Sequence, residues 1–270
     1  MKVSIILSTY NRPDALALIL HALSVQTYSQ FEVVIADDGS GIVTKDLIYD
    51  LRSQLPYPLH HLWQDDKGFR LAMARNKAVA HSNGDYLIFL DGDCVPRPHF
   101  IERHCKLAEF GCFVTGNRIL LNKHFTERVL FYDMNIGSWS SARWVLPYLH
   151  GDINRFLPLF SVPDGQFRKL KKPKWQGAKT CNLGAWRQDV LGVNGFNEQF
   201  QGWGHEDAEF VVRLMHHGIQ RKEGRFALPV FHLWHPEADR SQERVNRDRL
   251  EQSLKSAKIF VDVGVSQYLT

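Results

Sequence analysis

Three apolar runs in the first half of the chain each stop in a polar cluster. "VSIILS" (3–8) ends in Thr9-Tyr10-Asn11, "FEVVIA" (31–36) in Asp37-Asp38-Gly39-Ser40, and "YLIFL" (86–90) in Asp91-Gly92-Asp93. Runs of this kind suit strands covered on both faces. Helical patterns lie between them. "RPDALALILHALSVQ" sets Leu16, Ile19, Leu20 and Leu23 at helical spacing, with Pro13 near the start, where a missing N–H costs little. Further helices are predicted over 42–55 and 71–82, and a further strand near "PLHHLW". Strands alternating with helices predict an α/β fold with a central, mostly parallel sheet flanked by helices. In open sheets of this type ligands bind outside the carboxyl ends of the strands, so the three polar clusters should share one rim.

The second half is less regular. Residues 122–180 show no clean periodicity, several aromatics and the basic run "FRKLKKPKW"; long loops inside a compact domain are usually functional. Then "NLGAWRQDVLGVNGFNEQFQGWGHEDAEFVVRLMHHG" predicts a short helix, a glycine-punctuated loop and a helix from about Glu206. A β-like "FALPVFHLWHP" and a charged helix over 240–258 follow. There are no repeats or low-complexity tracts, so a single domain over 1–270 is expected.

With 270 residues, 44% of them hydrophobic, the chain can bury a sizeable core. The net charge of +4 is mild and asks for anionic partners, not nucleic acid. No apolar run approaches the length of a transmembrane helix, and "MKVSIILSTYNRP" reads as a first strand, not a signal peptide. Cys94, Cys105, Cys112 and Cys181 fall in no paired spacing, which predicts reduced thiols and a cytoplasmic location.

Alone, Asp91-Gly92-Asp93 reads as a turn. Two close carboxylates repel, however, and a cation relieves that repulsion. Mg²⁺ or Mn²⁺ carried by a diphosphate would do so, because hard cations take oxygen ligands. Gly92 would let the backbone lie close to a sugar nucleotide.

"SIILSTYNRPDAL", "VVIADDGS", "GFRLAMARNKAVAHSNGDYLIFLDGDCVP" and "GWGHEDAEFVVRL", in this order, resemble glycosyltransferase family 2, with its GT-A fold. The resemblance covers nearly the whole chain apart from roughly 120–175. It implies a nucleotide-binding half over 1–120 and an acceptor and catalytic half over 121–270. By the same resemblance Thr9, Tyr10, Asn11 and Asp38 hold the nucleoside of a UDP-sugar, Arg75 reaches the nucleotide, Asp93 is a direct metal ligand, and Asp91 meets the ribose or supports the metal site from behind its ligands. "GWGHEDAEF" resembles the GWGxED element of β-1,4-galactosyltransferases and of bacterial N-acetylgalactosaminyltransferases, which makes Asp207 the general base and has Glu206 bind sugar hydroxyls. The residues themselves agree: Gly202 and Gly204 permit close approach, Trp203 offers a flat face to a sugar ring, and carboxylates at a helix start are favoured by its dipole. That last fact equally fits a plain helix cap. His232 and His235 in "HLWH" are structural histidines or, by the resemblance, ligands for a Mn²⁺-like ion, with His235 preferred. A histidine at His232 stands where the pattern has a thioether. Asn182 in "KTCNLGAWR" is a donor-sugar contact by resemblance, or a turn asparagine.

The function implied is a metal-dependent inverting transfer of a hexose, galactose or N-acetylgalactosamine favoured, from a UDP-sugar to a glycan or lipid-linked acceptor. The basic run Arg168, Lys169, Lys171, Lys172 and Lys174 is a solvated loop, or draws a phosphorylated lipid or acidic polysaccharide and holds the protein peripherally at the inner membrane face. Two rival readings are a nucleotidyltransferase, for which "STYNRPDAL" lacks the glycine-rich basic phosphate loop, and a catalytically silent nucleotide-sugar or glycan-binding protein.

Overall fold

A computed structural model describes residues 1–170 and 174–269. In chain order the regular elements are β1 (Val3–Thr9), α1 (Pro13–Ser24), β2 (Phe31–Asp37), α2 (Ile42–Arg52), β3 (Leu59–Trp63), α3 (Leu71–His81), β4 (Tyr86–Asp91), β5 (Cys94–Pro96), α4 (Phe100–Leu107), β6 (Cys112–Thr115), β7 (Asn117–Leu120), α5 (Lys123–Phe131), α6 (Val145–Leu149), β8 (Asn182–Trp186), α7 (Arg187–Gly192), α8 (Glu206–His216), β9 (Gln220–Glu223), β10 (Pro229–His232) and α9 (Glu243–Ser256).

The main sheet has the order β3-β2-β1-β4-β8-β6-β9. It is parallel from β3 to β4, β8 runs antiparallel to both its neighbours, and β6 and β9 pair in parallel. The apolar runs of the sequence now divide by alternate residues. Val3, Ile5, Leu7, Val33, Ile35, Ile88 and Leu90 face one apolar layer with Leu16, Ile19, Leu20 and Leu23 of α1. Ile6, Val34, Ala36, Leu87 and Phe89 face the other, with Ala72, Ala78 and Val79 of α3 and Phe210, Val211 and Leu214 of α8. Each fully buried Leu or Ile contributes roughly 1.5–3 kcal/mol, and covering both faces is what turns period-two strands into continuous apolar runs.

A small sheet, β5-β10-β7, sits beside the main one, with β10 antiparallel to β5 and parallel to β7. It places His232 opposite Cys94 in register. The aperiodic middle segment folds around this sheet: Phe125, Val129, Trp144 and Leu159 join the same apolar layer as β1, and Trp144 stacks on Phe231 with ring centroids 4.2 Å apart.

Three local expectations change. "NLGAW" forms strand β8 ahead of the short helix, because pairing with β4 and β6 outweighs its local preference. Arg168 is not part of a solvated loop: it is fully buried, and its guanidinium donates to the carbonyls of Glu223 and Arg225 at 2.9 and 2.8 Å and to that of Val162. Lys169 pairs with Glu109, Lys174 is exposed, and Lys171 and Lys172 lie outside the described residues. Among the described residues no helix is long and apolar enough to cross a membrane.

Candidate active site

The ends of β1, β2 and β4 lie side by side, as their parallel register requires: Thr9 pairs with Asp37, and Ser8 with Asp91. Asp91 Oδ1 accepts hydrogen bonds from Ser8 Oγ at 2.8 Å and Arg75 Nη2 at 3.0 Å. Gly92 packs closely on β1. Its N–H donates to the Ser8 carbonyl at 2.7 Å, and a Cβ here would sit 2.6 Å from that oxygen. The glycine is needed for β4 to turn against β1.

That turn swings Asp93 toward β10. The Leu233 N–H donates to the Asp93 carbonyl at 2.9 Å, which clips "HLWH" onto the aspartate. His235 Nε2 lies 3.2 Å and His232 Nε2 3.6 Å from the same oxygen, Asp93 Oδ2. Ligand atoms of Asp93, Cys94 and His232 lie within 4.8 Å of one another. The sequence preferred His235 and allowed a structural role for the other; here both imidazoles face one carboxylate oxygen. Burial lowers the His232 pKa even against the pull of Asp93, so that ring is held neutral, the form that binds a cation. A carboxylate and two imidazoles fit a Mn²⁺-like ion by donor chemistry. Cys94 was missed as a neighbour of this set, and no spacing in the sequence marks it.

On the other side of the rim, Asp38 is buried and accepts from the Arg70 N–H at 2.7 Å and from Gln64 Nε2 at 2.6 Å; burial raises its pKa. Gln64 and Arg70 also line a cleft of about 380 Å³ with Trp63, Lys67 and Lys77. Asp37, by contrast, is occupied by His61 and the Ser40 N–H, both at 2.8 Å. Thr9 has a buried hydroxyl with no partner. Tyr10 is half exposed and its hydroxyl donates to Asp66 at 2.9 Å. Asn11, with φ 48°, caps Gly41 through its side-chain oxygen at 2.9 Å.

The two carboxylate clusters meet on Arg75. Arg75, which the resemblance has reaching the nucleotide, is buried beneath both clusters. Its Nη2 holds Asp91, while Nη1 lies 3.1 Å from Asp207 Oδ1 and 3.6 Å from Glu206 Oε1. Desolvation of a lone guanidinium would be prohibitive, and three carboxylates around it offset that cost. Thr180, also buried, donates its hydroxyl to Asp207 Oδ1 and its N–H to Oδ2 at 3.2 Å. No sequence signal pointed to Thr180. Asp207 is therefore not a helix cap: the N-cap of α8 is His205, at φ 70°, with no side-chain capping bond. Glu206 is pushed up to about 7 by burial and by the neighbouring Asp207 charge, which Arg75 only partly offsets.

The loop ahead of α8 is shaped by Gly202, at φ 74°, where a Cβ would meet the Gln242 side chain at 2.6 Å. α9 anchors it, since Asn246 Nδ2 donates to the carbonyls of Gln201 and Trp203 at 3.1 and 3.4 Å. Trp203 is half-buried and carries the Arg240 guanidinium 4.6 Å from its ring centre. Asn182 is buried, donates to the Leu228 carbonyl at 2.8 Å and pairs with His104 at 3.1 Å.

The pattern of "Glycosyl transferase family 2" matches residues 4–167. The chain belongs to glycosyltransferase family 2. A second pattern, described as the N-terminal domain of galactosyltransferase, matches residues 167–236 of this family 2 chain. The validoxylamine A glucosyltransferase of Streptomyces hygroscopicus subsp. jinggangensis (strain 5008) is 30% identical over 264 residues, covering 92% of this chain. The chain spans only 60% of that protein's length. Among solved structures, S. aureus TarS 1-349 in complex with UDP superposes with a TM-score of 0.63 at 15% identity, covering 99% of this chain and 68% of that one. The mannosyltransferase PcManGT from Pyrobaculum calidifontis, in complex with GDP-Man and Mn²⁺, superposes with a TM-score of 0.58 at 14% identity, covering 95% of this chain and 72% of that one. These likenesses establish the GT-A architecture expected from the sequence.

Proposed function

We propose that this family 2 chain is a metal-dependent, inverting hexosyltransferase. It would take galactose or N-acetylgalactosamine from a UDP-sugar to a hydroxyl of a glycan or lipid-linked acceptor. The observation that carries the reading is the pairing, across buried Arg75, of the Asp91–Asp93 rim with Glu206 and Asp207. Family membership supports transfer chemistry, the galactosyltransferase pattern over 167–236 supports the sugar, and UDP bound to TarS supports the nucleotide.

In this mechanism Thr9, Tyr10, Asn11 and Asp38 bind the nucleoside, and Asp91 holds the ribose side of the donor. Asp93, His232 and His235 would hold Mn²⁺ or Mg²⁺, which when bound neutralises the charge building on the departing diphosphate. Asp207, aimed by Thr180 and Arg75, accepts the proton of the acceptor hydroxyl. The oxygen so freed attacks the anomeric carbon from the face opposite the diphosphate. The new C–O bond forms as the bond to UDP breaks, UDP leaves with the electron pair, and configuration inverts. Glu206, half protonated near neutral pH, donates a hydrogen bond to a sugar hydroxyl beside the base.

Thermal shifts with UDP-galactose, UDP-N-acetylgalactosamine, UDP-glucose and GDP-mannose, each with Mn²⁺ or with chelator, test the reading. UDP-sugars should stabilise the protein only with the cation. Equal stabilisation in chelator would remove the metal, and a preference for GDP-mannose would remove the uridine assignment.

A further inference from the structure

A second, larger cavity lies beside Thr180, the residue that holds Asp207, and shares no lining residue with the nucleoside cleft. It encloses about 600 Å³ between β7, the 148–158 segment, the 177–181 segment and the end of β9. Two of its lining residues, Lys179 and Cys181, flank Thr180, which holds Asp207. Cys181 also reaches Cys94, the neighbour of Asp93. The cavity is thus joined by single-residue links to both halves of the catalytic set.

Its charge is one-sided. Glu223 is the only carboxylate among the described lining residues, and Arg221 lies 2.7 Å from it, with Arg225 at 3.9 Å. The side chains of Arg118, Arg155 and Lys179 line the same space and form no ion pair or hydrogen bond with the described residues. Arg118 is the innermost of these, partly buried and within the field of Asp91 and Asp93. Beside it both amide atoms of Asn117 are shut off from solvent without a hydrogen-bond partner. A buried amide left unpaired costs roughly 1–3 kcal/mol. Tyr148 and Phe156, stacked with centroids 5.6 Å apart, add an aromatic wall suited to a sugar ring.

We propose that this cavity is the acceptor site and selects a saccharide that carries an anionic group, a carboxylate or a phosphate, bound by Arg118 with Arg155 and Lys179. The proposal rests on the transferase reading above. It goes beyond it in naming the acceptor's charge and the residues that read it.

The experiment titrates three probes into the full chain held in saturating UDP and Mn²⁺, so that the donor's own anion sites are filled. The probes are a disaccharide ending in glucuronic acid, its glucose-ended counterpart, and glucose 1-phosphate. At least one anionic probe should bind tenfold or more tighter than the neutral disaccharide, and the tighter of the two identifies the source of the charge. Arg118→Met should weaken that anionic probe by about ten- to a hundredfold, as loss of a charge-assisted hydrogen bond implies, and leave the neutral one unchanged. Arg118→Lys should restore part of the loss. The double variant Arg155→Gln, Lys179→Met, which changes only exposed side chains, should give a similar selective loss. Equal binding of charged and neutral probes would overturn the proposal. So would anion binding indifferent to these variants, or an Arg118→Met effect on UDP affinity alone, which would place Arg118 at the donor phosphates. Failure of UDP and Mn²⁺ to stabilise the wild type would instead sink the donor reading, while probe binding without nucleotide would still report on the cavity.

Discussion

Replacing Glu206 with Gln should stabilise the protein at neutral and alkaline pH and leave it unchanged in acid. Glu206 sits within reach of Asp207, and burial with that neighbouring charge raises its carboxyl from an ordinary 4.5 to about 7, after the opposing effect of Arg75. Between those values the folded protein holds a proton that the unfolded chain has lost, so stability falls as pH rises through the interval. The contribution is fully present below 4.5 and gone above 7. At about 1.4 kcal/mol per pH unit, ionising Glu206 in the folded state costs about 3 kcal/mol. Gln has the shape of the protonated acid and cannot ionise. The gap in unfolding free energy between variant and wild type should therefore open from near zero at pH 4 to about 3 kcal/mol at pH 8. Urea unfolding of both proteins across that range, without nucleotide or metal, measures it directly. Parallel curves, or a gap largest in acid, would refute the account of Glu206 as a carboxyl held protonated by burial and the Asp207 charge.

Three other substitutions probe the site and its scaffold. Asp207→Asn should slow transfer by about 10² to 10⁴ with UDP-sugar affinity little changed, because a general base acts in the transition state; near-normal turnover in a single-turnover assay would move the base elsewhere. Asp93→Ala should abolish transfer, while His232→Ala and His235→Ala should each raise the Mn²⁺ concentration needed for half-maximal activity, and unchanged metal titrations in both would dismiss "HLWH" as a ligand pair. Gly92→Ala forces a Cβ to within 2.6 Å of the Ser8 carbonyl and should cost about 1–3 kcal/mol by overpacking; an unaltered Tm would show that β4 can turn without the glycine.

Much of the N-terminal half is legible in sequence because its determinants are local. An apolar run covered on both faces must be a strand, and the polar residues that end it must stand at the carboxyl edge of a parallel sheet. "STYN", "ADDGS" and "DGD" are therefore placed by pattern alone, and they do share a rim. "GWGHED" is readable for a similar reason, since left-handed glycines and a helix start are properties of a few consecutive residues. What tertiary structure alone decides is which distant groups face each other. Arg75 meets Asp207 across 132 positions and Thr180 meets it across 27, through a sheet order in which β8 enters antiparallel between β4 and β6. The same assembly buries Asn182 against His104 and the Leu228 carbonyl, turns Gly92 onto β1, and hides Arg168 beneath loops that looked solvated. Burial and ion pairing are properties of packed layers, and one strand's direction changes every side chain it brings to the site.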